Sequence, residues 1–354
     1  MPRHPMNSRS IGSLPSGETV EAYTLANAAG ASVDVLTFGG IVTSLRMPDR
    51  HGRFADVVLG FTGLASYVAG HPYFGAIAGR IAGRVSGGRL VVEGRVYQLA
   101  RNDGPNHLHG GHVGLDKRVW TARPMARVDG ADSLQLTYRS PDGEEGYPGT
   151  MDLAVTYTLT ATNELLVETE AKADRVTPLS LAHHSYFNLA GEGSGTIADH
   201  EVQICASEII PVDDRLTLSG RRKPVAGSAS DFTRPRRLGD ALPQLFQAHG
   251  DFYLLREHPA TPPAKPSLVA RVVEPRSGRV LEVHTDESGL QFYTGSALDG
   301  TQVGKSGRAY GPHAGLCLEC QGYPDATIVP ELGDILVHPG QAQRRTTRYA
   351  FSTV

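Results

Sequence analysis

The stretch DLAVTYTLTATNELLVETEAKA, residues 152–173, decides the fold class. Val155, Tyr157 and Leu159 recur at every second position, which places them on one face of an extended chain. Thr162-Asn163 supplies a turn, and a second run of β-formers follows it, so the segment predicts a hairpin. A lone hairpin is marginal in water, so it requires further strands to cover its apolar face. RLVVEGRVYQL (residues 89–99) provides another hairpin, turning at Glu93-Gly94 with glycine where positive φ is needed. SLQLTYRS (133–140), RVLEVHT (279–285) and LQFYTGSAL (290–298) read as additional strands, as does the alternation around Val33 and Val35.

No segment of 12 or more residues carries apolar side chains at helical spacing; RLGDALPQLFQ (237–247) is at most a short helix broken by Pro243. With 41 glycines and 23 prolines scattered along 354 residues, turns come often. Many short strands separated by turns predict an all-β protein, a sandwich or barrel built without βαβ units. The proline-rich HPATPPAKPS (258–267) is too short for a domain linker and reads as a surface loop. We expect a disordered N-terminal tail over residues 1–14 and a single β domain over 15–354.

Composition narrows the function. The formal charge is −3 and 20% of residues are charged, with no long block of one sign, which disfavours nucleic acid or an anionic membrane as partner. The N-terminus lacks the apolar core of a signal peptide, and no apolar run approaches the roughly 20 residues of a membrane helix. Three cysteines, Cys205, Cys317 and Cys320, make no disulfide framework. The expectation is a soluble, cytoplasmic protein.

Three polar clusters stand out. NDGPNHLHGGH (102–112) puts His107 and His109 two residues apart, as two metal ligands on a strand would be, and equally as two solvated histidines of a turn. LAHHSYFNLAG (181–191) holds tandem histidines, of which at most one can face a given site. GLCLECQGYPD (315–325) contains a C-x-x-C pair that strand alternation sends to opposite faces, and a lone acid, Glu319, among apolar neighbours. Burying such a carboxylate is costly unless it has a partner or a role.

Taken together and in order, FADVVLGF (54–61), FGAIAGRIAGRV (74–85), NHLHGG (106–111), HSYFNLAG (184–191), QFYTG (291–295) and LECQGYPDA (318–326) resemble the aldose 1-epimerase family over nearly the whole chain. The resemblance implies a large antiparallel β-sandwich, the galactose mutarotase-like supersandwich, with a monosaccharide in an open cleft. It implies His184 as catalytic acid and Glu319 as catalytic base, with His183 structural. Substrate-binding positions carry over to Arg84, His109, Asp251 and Gln291, and Tyr186 becomes a wall of the site. It further implies an isomerase of carbohydrate metabolism that uses no cofactor and no metal and acts as a monomer or homodimer. The chain departs from the family at Gly83, where asparagine is usual, at Phe252, where histidine often follows the binding aspartate, and at Cys320, where threonine is usual. For the proposed roles we expect an ionised Glu319 and a His184 kept protonated by Glu319 and Asp251.

Overall fold

A computed structural model describes residues 6–125, 131–245, 250–256 and 265–354. The deciding hairpin forms as expected. Met151–Leu159 pairs antiparallel with Glu164–Ala173, and Val155, Tyr157 and Leu159 are fully buried. The turn is held by Thr160, whose hydroxyl accepts from the Thr162 and Glu164 amides, and by Asn163 at φ 62°. The second hairpin, Arg89–Val92 with Arg95–Gln98, also turns at Glu93-Gly94.

The second hairpin stands alone as a two-stranded sheet, whereas Met151–Leu159 and Glu164–Ala173 join a nine-stranded sheet in the spatial order Thr121–Pro124, Asp132–Ser140, Met151–Leu159, Glu164–Ala173, Gln343–Thr353, Arg279–Thr285, Ser267–Val273, Glu201–Ile204, Arg236–Arg237. A six-stranded sheet faces it: Tyr186–Phe187, Leu316–Gln321, Gly289–Tyr293, Asp251–Leu254, Glu208–Ile210, Lys223–Pro224. Every strand pairing within both sheets is antiparallel. The main core fills the space between them, with Tyr157, Leu281, Val283 and Tyr349 from one sheet against Tyr253, Leu290, Phe292 and Leu318 from the other. Tyr349 also donates its hydroxyl across the core to the Leu318 carbonyl at 3.4 Å.

The segment 237–247 forms one helical turn, Leu238–Ala241, that stops before Pro243; residues 246–249 lie outside the described part, as does most of the proline-rich loop at 258–264. Among the described residues no helix is long and apolar enough to cross a membrane.

One expectation is corrected. Residues 7–13 do not trail away: Asn7–Ser13 is the edge strand of a five-stranded meander and pairs with Thr19–Ala26 through a bulge at Ile11, between Ser10 and Gly12. Its side chains are almost all exposed, so it is held by backbone hydrogen bonds and shows no apolar periodicity to read. Residues 1–5 of the expected tail lie outside the described part.

Candidate active site

The six-stranded sheet has one face in the core and another turned away from it. Leu316, Leu318 and Cys320 point inward, so strand alternation turns Cys317, Glu319 and Gln321 outward. On the neighbouring strand Leu290 and Phe292 are core residues, while Gln291, directly opposite Glu319 in the register, shares its outward face. Loops from the first third of the chain close over this outward face and leave a cleft of about 270 Å³. Tyr73, Arg84, His109, His184, Gln291 and Glu319 all line it. That is at the small end for small-molecule sites.

The tandem histidines divide as alternation requires. His183 lies in the inter-sheet core between the rings of Tyr157 and Tyr349, with Nε2 2.8 Å from the Ser185 hydroxyl. His184 turns into the cleft, with Nε2 3.6 Å from Glu319 Oε1. Tyr186 and Tyr73 stack on it with ring centroids 5.2 Å and 5.6 Å away. His184 and Glu319 are 4% and 2% exposed, so both sit in a low-dielectric floor.

Burial sets their protonation. It pushes Glu319 up to about 8, opposed by the Arg84 guanidinium, and pushes His184 down to about 4. Desolvation penalises both charges, so burial works against the expected imidazolium–carboxylate pair. Neutral imidazole with protonated carboxyl carries the same single proton as that ion pair, and the two are tautomers of one coupled unit.

Arg84 reaches the cleft from the short strand Arg84–Val85, and Asp103 orients it at 2.6 Å from Nε. His109 accepts the Gly83 backbone N–H at Nδ1, 3.2 Å away, so its neutral ring carries the proton on Nε2 and presents a donor to the cleft. The turn that aims His109 needs Gly110, where a Cβ would lie 1.7 Å from the Gly79 carbonyl oxygen. Gly83 is likewise constrained: at φ 81°, a Cβ would meet the Pro324 ring at 2.7 Å. Asparagine thus cannot simply replace it without Pro324 shifting.

Asp251 is not part of this group. It pairs with Phe292 and so lies on the core-facing side of its strand, where its carboxyl bonds to Ser230, and burial raises its pKa. The neighbour that shares the face of Gln291 is Phe252, packed on Tyr323. Asp251 therefore neither lines the cleft nor helps to charge His184.

The reading of His107 and His109 as paired metal ligands also dissolves. His107 is buried with Nδ1 2.7 Å from the Ala100 carbonyl and Nε2 2.6 Å from the Tyr147 hydroxyl, and His112 is exposed. Ligand-type atoms of His109, His184 and Glu319 do lie within 4.8 Å of one another. The His109 tautomer fixed by Gly83, however, directs N–H rather than a lone pair at that point. Cys317 and Cys320 point to opposite faces and are unpaired. A larger hollow of about 400 Å³ on the nine-stranded sheet, between Thr121, Tyr138 and Lys172, brings no buried acid and base together.

Sequence reasoning missed Tyr73, Asp103 and Cys317. Tyr73 sits one residue before the FGAIAGR motif in the left-handed region, φ 60°, which swings its ring over both His109 and His184.

Comparisons with known proteins identify the family. The aldose 1-epimerase family model matches residues 21–350. Galactose mutarotase of Sus scrofa is 45% identical over 98% of each chain, and aldose 1-epimerase of Escherichia coli is 31% identical over 95% of this chain and 96% of its own. Among solved structures, the aldose epimerase homologue from C. elegans superposes with a TM-score of 0.85 at 28% identity, covering 94% of this chain and 99% of its own. Galactose 1-epimerase from Lactobacillus acidophilus gives 0.82 at 28% identity over 99% of both. Fold, cleft and sequence together place the chain in the aldose 1-epimerase family.

Proposed function

We propose that the protein interconverts the α and β anomers of free aldoses such as D-galactose and D-glucose, using His184 and Glu319 as its acid–base pair. The observation that carries this reading is their apposition at 3.6 Å on a buried cleft floor, contributed by chain segments 135 positions apart. Opening a cyclic hemiacetal removes the proton from the anomeric hydroxyl, turns that oxygen into a carbonyl, breaks C1–O5 and protonates O5. Performed singly, either proton transfer builds a charge; performed together by adjacent groups, neither does.

Sugar hydroxyls entering the cleft favour the imidazolium–carboxylate tautomer, because they solvate charge that the empty site does not. Glu319 then takes the anomeric proton while His184 gives its Nε2 proton to O5. Rotation about C1–C2 presents the other carbonyl face, and reclosure returns both protons. The pair ends with its starting proton count, so no cofactor is consumed. Arg84, His109 and Gln291 offer donors to the remaining hydroxyls and hold the part of the sugar that does not rotate. Three unpaired cysteines suit the reducing cytoplasm, where we place the enzyme, as a monomer or homodimer.

Polarimetry on freshly dissolved α-D-galactose tests the assignment. His184→Gln and Glu319→Gln should each lower the enzymatic rate by about 10²–10⁴. A wild-type rate in either variant refutes the pair; saturable sugar binding by the wild type with no acceleration refutes the enzyme.

A further inference from the structure

His184 has two ring nitrogens, and only Nε2 faces Glu319. Nδ1 points the other way, to the Cys317 sulfur 3.6 Å off, which is fully buried and does not line the cleft. The Tyr186 hydroxyl bonds to the same sulfur, so that thiol ties the histidine to the ring stacked upon it. Tyr73 covers the opposite side, and His109 meets the edge at 5.2 Å. The ring plane is therefore held by two tyrosines, while the sulfur is the side-chain partner at Nδ1.

We infer that Cys317 is a positioning residue that fixes the tautomer of His184: its sulfur accepts the Nδ1–H, leaving Nε2 alone to exchange protons with the sugar. The inference rests on the acid–base reading above. In the imidazolium form both nitrogens carry hydrogen, and the sulfur must then be an acceptor. If only the Nε2 proton leaves, the neutral ring keeps Nδ1–H and the sulfur keeps that role. With the sulfur gone, only the backbone carbonyl of His184 itself is left to hold the ring N–H, and the neutral ring more readily moves its proton to Nε2, a form that cannot take a proton from substrate at the cleft. A thiol is a weak, uncharged acceptor, so it selects the tautomer without raising the basicity of the ring as a carboxylate would.

The test uses the full chain with ¹⁵N-labelled histidine and NMR of His184, beside mutarotation kinetics. The wild type should show neutral His184 protonated at Nδ1 and bare at Nε2. Cys317→Ala should lose that preference and lower kcat about tenfold at constant KM, the order of magnitude of one hydrogen bond. Cys317→Ser, whose hydroxyl can accept, should restore both. An Nε2-protonated neutral ring in the wild type overturns the inference. So does an alanine variant with unchanged tautomer, whatever its rate, since that would be packing alone. If alanine fails to fold, the serine variant and the wild-type spectrum still decide. The spectrum does not depend on turnover, so an inactive wild type with the expected tautomer would sink the proposed reaction and leave this assignment standing.

Discussion

The two faces of the strand Leu316–Gln321 are equally dry, yet they do different work. Toward the nine-stranded sheet it buries Leu316 and Leu318 against aromatic and aliphatic partners. Toward the cleft it buries Glu319, whose Oε2 has no hydrogen-bond partner among the described residues. An orphaned carboxylate oxygen is expensive to bury, and the core side also carries an unpartnered polar atom in His183 Nδ1. Burial and a missing partner therefore do not distinguish structure from function; lining the cleft, as Glu319 does and His183 does not, is what separates them.

Substitutions on adjacent positions should separate the faces. Glu319→Gln, with its loss in rate of about 10²–10⁴, should melt no lower than wild type, since it removes a buried ionisable group; a large drop in Tm would mean that the carboxylate is structural. Leu318→Ala should do the opposite, costing about 2–5 kcal/mol in urea unfolding while the folded fraction keeps kcat within a few-fold. A stable Leu318→Ala protein would contradict the inter-sheet core.

The pH profile of kcat/KM sharpens the cleft side. A shared proton predicts a plateau bounded near pH 4, where the pair gains a second proton as burial-depressed His184 charges. The upper bound lies near pH 8, where raised Glu319 gives its proton up. Activity should fall about tenfold per pH unit beyond either limb. A flat profile after subtracting the spontaneous reaction breaks the coupled-pair description. Smaller effects compare two neighbouring strands: Gln291→Ala should raise KM about tenfold by removing a hydrogen bond to sugar. Asp251→Asn, on the core-facing side, should leave KM within about twofold. Isothermal kinetics with galactose would read both, and equal effects would mean that the register argument misplaces one of them.

Much of this was legible in the sequence wherever side chains alternate against a single covered face. Val155, Tyr157 and Leu159 declared the hairpin, and the rule that neighbours diverge allowed only one of His183 and His184 to face the site, while the family resemblance pointed to His184. The same rule, applied to Asp251, would have required knowing which of two buried faces met the cleft, and its DFYLL context is apolar on both. Asn7–Ser13 was illegible for a different reason: an edge strand secured by backbone bonds leaves no mark in side-chain pattern. Tyr73 and Cys317 look like core residues in sequence, because what recommends them is contact with His184 and not their own chemistry.

Tyr186–Phe187 pairs directly with Leu316–Gln321, so the cleft floor exists only once segments about 130 residues apart have met. Such a long closure is entropically slow and is completed late. During refolding from denaturant, anomer exchange should consequently return after the local hairpins have formed, making the reaction itself a clock for the final stitching of the chain.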